Sequence, residues 1–64
     1  MYYAILKQQH EILKARFYNR ADRDQFVKDT GAEPVRSRKI DFVPGADGNA
    51  TYGHRDARGN WVRV

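Results

Sequence analysis

The 64-residue sequence contains no cysteine, so neither disulfides nor thiolate zinc ligands can stabilise its fold. A chain of this size buries only about 60% of the surface that it exposes when unfolded. Its core must therefore be small, and association into a homodimer is one way in which such a domain gains stability. The length predicts a single small domain over residues 1–64.

Long hydrophobic runs are also missing. The opening residues, MYYAILKQQHEIL, have a short apolar run with no basic segment before it, so they do not predict a signal peptide. No other run approaches the length that spans a membrane. We expect a protein without a membrane partner, in a cytosolic and reducing setting.

Charge of one sign predominates, with twelve Lys and Arg against eight Asp and Glu. The excess is unevenly distributed. Residues 1–20 have four basic side chains and one acidic side chain, whereas residues 21–33 have two basic and four acidic side chains. A basic excess favours polyanionic partners, although it does not determine the fold.

The clearest local pattern predicts a helix over residues 20–30. Asn19 is a favoured N-cap, and Asp22 follows at the third helical position, where its charge opposes the helix dipole. Gly31 can adopt the left-handed conformation that ends a helix, and Pro34 prevents any early continuation.

Residues 2–18 allow two interpretations. In the first, the strands YYAILKQ and ILKARFY form a hairpin joined through Gln9-His10-Glu11. In the second, LKQQHEILKAR forms a helix, since it consists of good helix formers. We favour the hairpin because a helix capped by Asn19 should begin only there. Leu13, Ala15 and Phe17 then share one face, with Lys14 and Arg16 on the other.

The C-terminal half predicts a β-meander. VRSRKIDFV alternates between apolar and polar residues, and the frame Ala-x-Gly-Asn occurs twice after it, at residues 46–49 and 57–60. Each frame suits a hairpin turn that ends in a left-handed glycine, so we interpret both as turns and not as ligand loops.

Counting outward from these turns assigns the two faces of the meander. The predicted core face consists of Ile40, Phe42, Tyr52, His54, Val62 and Val64. The opposite, solvated face holds Lys39, Asp41, Val43, Thr51, Gly53, Arg55, Trp61 and Arg63, with Arg55 across from Trp61. A slip of one residue on a strand would exchange that strand's faces.

Together these elements predict an α+β fold with the order ββαβββ. One short helix packs across an antiparallel sheet, and the C-terminal half forms the β-meander.

The best candidate site is the only tryptophan, Trp61, among Lys39, Arg55 and Arg63. A flat aromatic among cations is typical of proteins that bind single-stranded nucleic acids. The same residues could instead form a structural cation–π pair, or an anchor for a protein partner.

Further basic residues extend this candidate surface. Arg36 and Arg38, in the run Arg-Ser-Arg-Lys, could contact phosphates or could simply be solvated. Lys14 and Arg16 could add a basic stripe on the first hairpin.

Catalytic and metal-binding patterns are weak. The two histidines are far apart in the sequence, and His54 is predicted to lie at the edge of the core, so they do not predict a zinc site or a general base. We expect no cofactor.

The sequence therefore predicts a non-enzymatic binding module. The leading hypothesis is nucleic-acid binding that is largely independent of sequence, through the face that carries Trp61. The alternative is a small protein-binding factor, such as a phage-type inhibitor or adaptor, that uses the same patch or a sheet edge.

Overall fold

The computed structural model describes residues 1–64, and the chain begins with an antiparallel hairpin. β1 spans Tyr2–Gln8 and β2 spans Glu11–Phe17. Gln8 pairs with Glu11, so only two residues form the turn. The predicted hairpin is thus confirmed, and the helical alternative is wrong.

The two faces of β2 are those expected from its alternation. Ala15 and Phe17 have no exposed surface, whereas Lys14 and Arg16 point to the other side of the sheet. These residues form a hairpin despite their high helix propensity. Each strand places small or aromatic residues on one face of the sheet, with the period of two that a sheet requires.

The helix α1 spans Arg20–Thr30, as predicted. The side chain of Asn19 accepts a hydrogen bond from the backbone N–H of Asp22 at 2.8 Å. At the other end Gly31 has φ of +77°, and its N–H donates to the carbonyl of Val27 at 2.9 Å. Both ends of the helix therefore have the capping partners that their unpaired backbone groups need.

Three further strands complete one five-stranded sheet. β3 spans Glu33–Val35, β4 spans Asn49–Arg55 and β5 spans Trp61–Arg63, in the spatial order β3-β1-β2-β4-β5. The order ββαβββ and the packing of one helix on the sheet are confirmed. The sheet is mixed, however, because β2 and β4 run parallel, whereas an antiparallel sheet was predicted.

The predicted strand VRSRKIDFV does not form. Only its first residue, Val35, belongs to a strand, and Ser37–Lys39 form a short 3₁₀ turn. β3 pairs with β1 at the far edge of the sheet, so the chain has to cross two strands before β4 begins. We call residues 40–48, which cross the face opposite to α1, the crossing segment. β2 occupies the position beside β4 that the predicted meander assigned to residues 39–43.

The two Ala-x-Gly-Asn frames are both turns, but only the second closes a hairpin. There the N–H of Asp56 donates to the carbonyl of Asn60 at 2.8 Å, which is the predicted closure. The first frame ends the crossing segment and leads into β4. At Gly48, φ is +76° and a Cβ would lie 2.9 Å from the carbonyl oxygen of Ile12, so the close approach to β2 requires glycine.

A β-bulge in β4 changes the predicted faces. Arg55 pairs with Trp61 and His54 with Val62, as predicted, but Tyr52 pairs with Arg63, so one residue is extra on β4. The extra residue is Gly53, where a Cβ would approach Val64 to 2.9 Å. Relative to Tyr52, the side chains beyond the bulge therefore lie on the opposite face of the sheet from the one predicted for a strand without a bulge.

The predicted core face is consequently wrong apart from Tyr52. Tyr52 is 8% exposed, whereas Val64 is 76% exposed and His54 is exposed. Phe42 lies on the side of the sheet away from α1, where its ring centroid is 5.5 Å from that of Tyr3. The bulge accounts for His54 and Val64, whereas Ile40 and Phe42 are misplaced because their predicted strand does not form.

The core is a cluster of aromatic rings beside three sheet alanines. We call Phe17, Phe26, Tyr52 and Trp61 the aromatic cluster, and its ring centroids lie 5.1 to 6.2 Å apart. Ala4, Ala15 and Ala50 are also buried. Their small side chains leave room for Phe26 of α1 against the sheet. No helix here has both the length and the apolar character needed to cross a membrane.

Candidate functional site

Trp61 belongs to the aromatic cluster and not to a solvated face. Its centroid lies 5.4 Å from that of Phe17 and 5.9 Å from that of Phe26, both in edge-to-face geometry. The bulge in β4 brings β5 into this arrangement, so the predicted placement of Trp61 is wrong. The indole contributes to packing between the sheet and the helix.

Arg55 accompanies Trp61 and is itself paired. Its guanidinium carbon lies 5.6 Å from the centre of the indole, and its Nη1 lies 2.9 Å from Oδ2 of Asp29 on α1. The predicted cross-strand neighbours therefore form a cation–π pair with an added ion pair. The ion pair between Arg55 and Asp29 links the end of β4 to the end of α1.

Lys14 and Arg16 share a face, as predicted, but the crossing segment covers them. Nζ of Lys14 donates to the carbonyl of Asp41 at 2.7 Å. Nε of Arg16 donates to Oγ1 of Thr51 at 3.0 Å, and its guanidinium carbon lies 4.7 Å from the ring centre of Phe42. These two cations are half-buried and hold the crossing segment on the sheet.

The other predicted site residues are exposed, but they do not surround Trp61. Lys39 ends the 3₁₀ turn, and its side chain forms no salt bridge. Arg63 lies on β5, at the edge of the sheet opposite to β3, where it lines a groove with Tyr18 and Val64. We call this the Tyr18 groove. The predicted continuous basic face around Trp61 is therefore not present.

A different concentration of charge lies between the start of α1 and the 3₁₀ turn. Four arginines line one cleft there, and two of them, Arg36 and Arg38, are predicted site residues. We call it the arginine cleft. Its lining residues are Met1, Tyr2, Arg20, Arg23, Val35, Arg36, Ser37 and Arg38.

The positive charge of the arginine cleft is only partly compensated. Nε of Arg23 lies 2.7 Å from Oδ1 of Asp24, and Nε of Arg20 lies 3.5 Å from the other carboxylate oxygen. Arg36 and Arg38 form no salt bridge, and no acidic residue lines the cleft. Since arginine is always protonated in proteins, four positive charges face a single neighbouring carboxylate.

Arg23 and Tyr2 form the floor of this arrangement. The side chain of Arg23 is only 13% exposed, and its Nη1 donates to the carbonyl of Tyr3 at 3.4 Å. Its guanidinium carbon lies 5.8 Å from the ring centre of Tyr2, which is itself 39% exposed. Arg23 is thus held in place, while the side chain of Arg20 is 73% exposed and is held only by its 3.5 Å ion pair with Asp24.

Only Arg36 and Arg38 were expected from the sequence, and the aromatic and charged residues of the cleft that were missed are Tyr2, Arg20 and Arg23. The spacing of Arg20 and Arg23 along α1 places both on adjacent positions of one helix face. The proximity of that face to Arg36 arises only because β3 returns to the edge beside β1. No local signal announces that long-range pairing.

The histidines do not form part of a cluster. His10 and His54 are both exposed, and no group of three His, Cys, Asp or Glu side chains lies close enough to hold a metal ion. The predicted position of His54 at the core edge is wrong, because the bulge separates it from Tyr52.

Compared with known proteins, the chain matches no family model, no curated protein and no solved structure.

Proposed function

We propose that this protein is a non-enzymatic nucleic-acid-binding module and that the arginine cleft makes its phosphate contacts. The observation that carries the proposal is the convergence of four guanidinium groups on one cleft without an acidic lining residue. Guanidinium groups bind phosphate oxygens in bidentate fashion, and such contacts dominate affinity for nucleic acids.

Phosphate contacts also explain why binding should be largely independent of sequence. They position a protein on the backbone but carry no information about the bases. Arg36 and Arg38 belong both to this cleft and to the basic surface predicted by the sequence. Trp61 is not part of the binding surface, because its ring is packed against the core.

The test is a titration of fluorescently labelled oligonucleotides, followed by anisotropy at low and near-physiological salt. The double substitution Arg36→Gln with Arg38→Gln should weaken binding about tenfold or more, because it removes two charge-assisted contacts. Both side chains are exposed, so the folded structure should be unchanged by circular dichroism.

A matched control removes the same charge elsewhere. Lys28→Gln with Arg58→Gln changes two exposed cations outside the arginine cleft. Equal weakening by both double variants would show that net charge alone is responsible and would overturn the assignment to the cleft. If the native protein binds no oligonucleotide even at low salt, the nucleic-acid function itself is overturned.

A second candidate function is binding of a protein partner, as a small inhibitor or adaptor. The observation that favours it is the Tyr18 groove, where Tyr18 is 50% exposed and Val64 76% exposed beside Arg16 and Arg63. Exposed aromatic and arginine side chains are enriched where protein interfaces concentrate their binding energy. This function requires a stoichiometric protein complex by size-exclusion chromatography, together with no oligonucleotide binding at physiological salt.

A further inference from the structure

Neither α1 nor the first hairpin presents the positive charge that favours entry into a duplex groove. A helix enters the major groove only if its exposed face is compatible with the phosphates on either side. The face of α1 carries Asp24 and Asp29, whose side chains are 54% and 36% exposed, and both are held there by arginines. Over its whole length α1 has three basic and three acidic side chains, so it carries no net positive charge that would attract the phosphates of the groove walls.

The hairpin between β1 and β2 is no better suited to a groove. A two-stranded ribbon can also enter the major groove. Its tip here is Gln8-Gln9-His10-Glu11, which contains no lysine or arginine to contact a phosphate. Neither α1 nor the tip of this hairpin is therefore suited to enter a duplex groove.

The arginine cleft has instead what a single strand requires. Beside its cations lie two exposed apolar residues, Tyr2 at 39% and Met1 at 56%. Unpaired bases stack on aromatic rings and on guanidinium planes, while cations follow the backbone. In a duplex those base faces are already stacked on one another and are not available.

We infer that the arginine cleft binds single-stranded nucleic acid in preference to duplex, with a base stacked on Tyr2 and phosphates held by Arg20, Arg36 and Arg38. Arg23 acts as a positioning residue, because its guanidinium holds the Tyr2 ring from one side at 5.8 Å. This inference rests on the proposed function and adds the class of nucleic acid to it.

The experiment compares one short labelled strand with the duplex of the same sequence, using the full chain and the same salt. The single strand should bind at least about fivefold more tightly, because it offers a base that can stack on the Tyr2 ring. Tyr2→Leu keeps an apolar side chain but removes the ring, and it should weaken single-strand binding by about 5- to 150-fold. Duplex binding should change little, and Tyr2→Phe should retain most of the affinity.

Tyr18→Leu is the matched control, because Tyr18 is a comparably exposed tyrosine outside the arginine cleft. Its affinity for the single strand should equal that of the native protein. Circular dichroism and thermal unfolding of each variant separate a loss of binding from a loss of folding.

The outcomes distinguish this inference from the proposed function. If duplex binds as tightly as the single strand and the Arg36 and Arg38 double variant weakens both, the preference is overturned while the proposed function stands. Unchanged single-strand affinity in a folded Tyr2→Leu variant overturns the stacking role. If the native protein binds neither form, both the inference and the proposed function fall.

Discussion

Two groups of cations in this small protein differ in what they contact. Arg16 and Arg55 are bound to aromatic rings and to oxygen atoms of the protein itself, and each joins two parts of the fold. Arg36 and Arg38, in the arginine cleft, have no such partners. We call these the engaged and the free cations.

The difference shows why a net positive charge is a poor guide to a binding site. A cation that already stacks on a ring and donates to a carboxylate gains less from a phosphate, because it must first give up those contacts. A free cation exchanges only water. Substitution of an engaged residue should therefore lower stability, whereas substitution of a free one should lower affinity.

Trp61→Ala, which removes the ring that the engaged cation Arg55 contacts, should have the largest effect on stability. The indole packs against Phe17 and Phe26 and lies under Arg55, so its removal should lower the free energy of unfolding by about 2–4 kcal/mol, somewhat less than for a fully buried ring. Urea unfolding followed by circular dichroism measures this loss. Trp61→Phe should restore part of it, and an unchanged midpoint in Trp61→Ala would contradict the packing described here.

Arg16→Gln should have a smaller effect on stability. It removes the hydrogen bond to Thr51 and the contact with Phe42, which together should lower the free energy of unfolding by about 1 kcal/mol. Arg58→Gln, at the exposed turn between β4 and β5, is the control and should change stability by less than about 0.5 kcal/mol. Equal stability of the two variants would mean that Arg16 does not hold the crossing segment.

Asp24→Asn should have the smallest of these effects, and the quantity that changes should be the affinity for an oligonucleotide. The substitution removes the carboxylate that lies 2.7 Å from Arg23 and 3.5 Å from Arg20, so it frees Arg20 for phosphate and removes a negative charge beside the cleft. Since exposed ion pairs contribute about 0.2–1 kcal/mol, oligonucleotide affinity should rise by about 1.5- to 5-fold. Weaker binding would indicate that Asp24 orients these arginines for the ligand and does not compete with it.

The elements that the sequence predicts correctly are those whose signals are local. The caps at Asn19 and Gly31 define α1, and the turn at Asp56–Asn60 defines the last hairpin. In each case the partners lie within a few residues, so side-chain chemistry alone specifies the backbone.

The errors arise where pairing is long-range or where one extra residue enters a strand. The parallel pairing of β2 with β4 joins residues about 35 positions apart, and no turn between them specifies it. The bulge at Gly53 reverses the side on which Trp61 lies, and a lone glycine within a strand pattern was the only signal for it. The arginine cleft was not predicted, although two of its arginines, Arg36 and Arg38, were candidate site residues, because its two sides meet only through the β1–β3 pairing.

The most direct measurement is the salt dependence of oligonucleotide affinity for the native protein and for the variant Arg36→Gln with Arg38→Gln. Each phosphate contact on a single strand contributes about 0.7 to the slope of log affinity against log salt concentration. The variant should therefore have a slope shallower by about 1.4, while Lys28→Gln with Arg58→Gln retains the native slope. The same slope in all three proteins would contradict the assignment of phosphate binding to the arginine cleft.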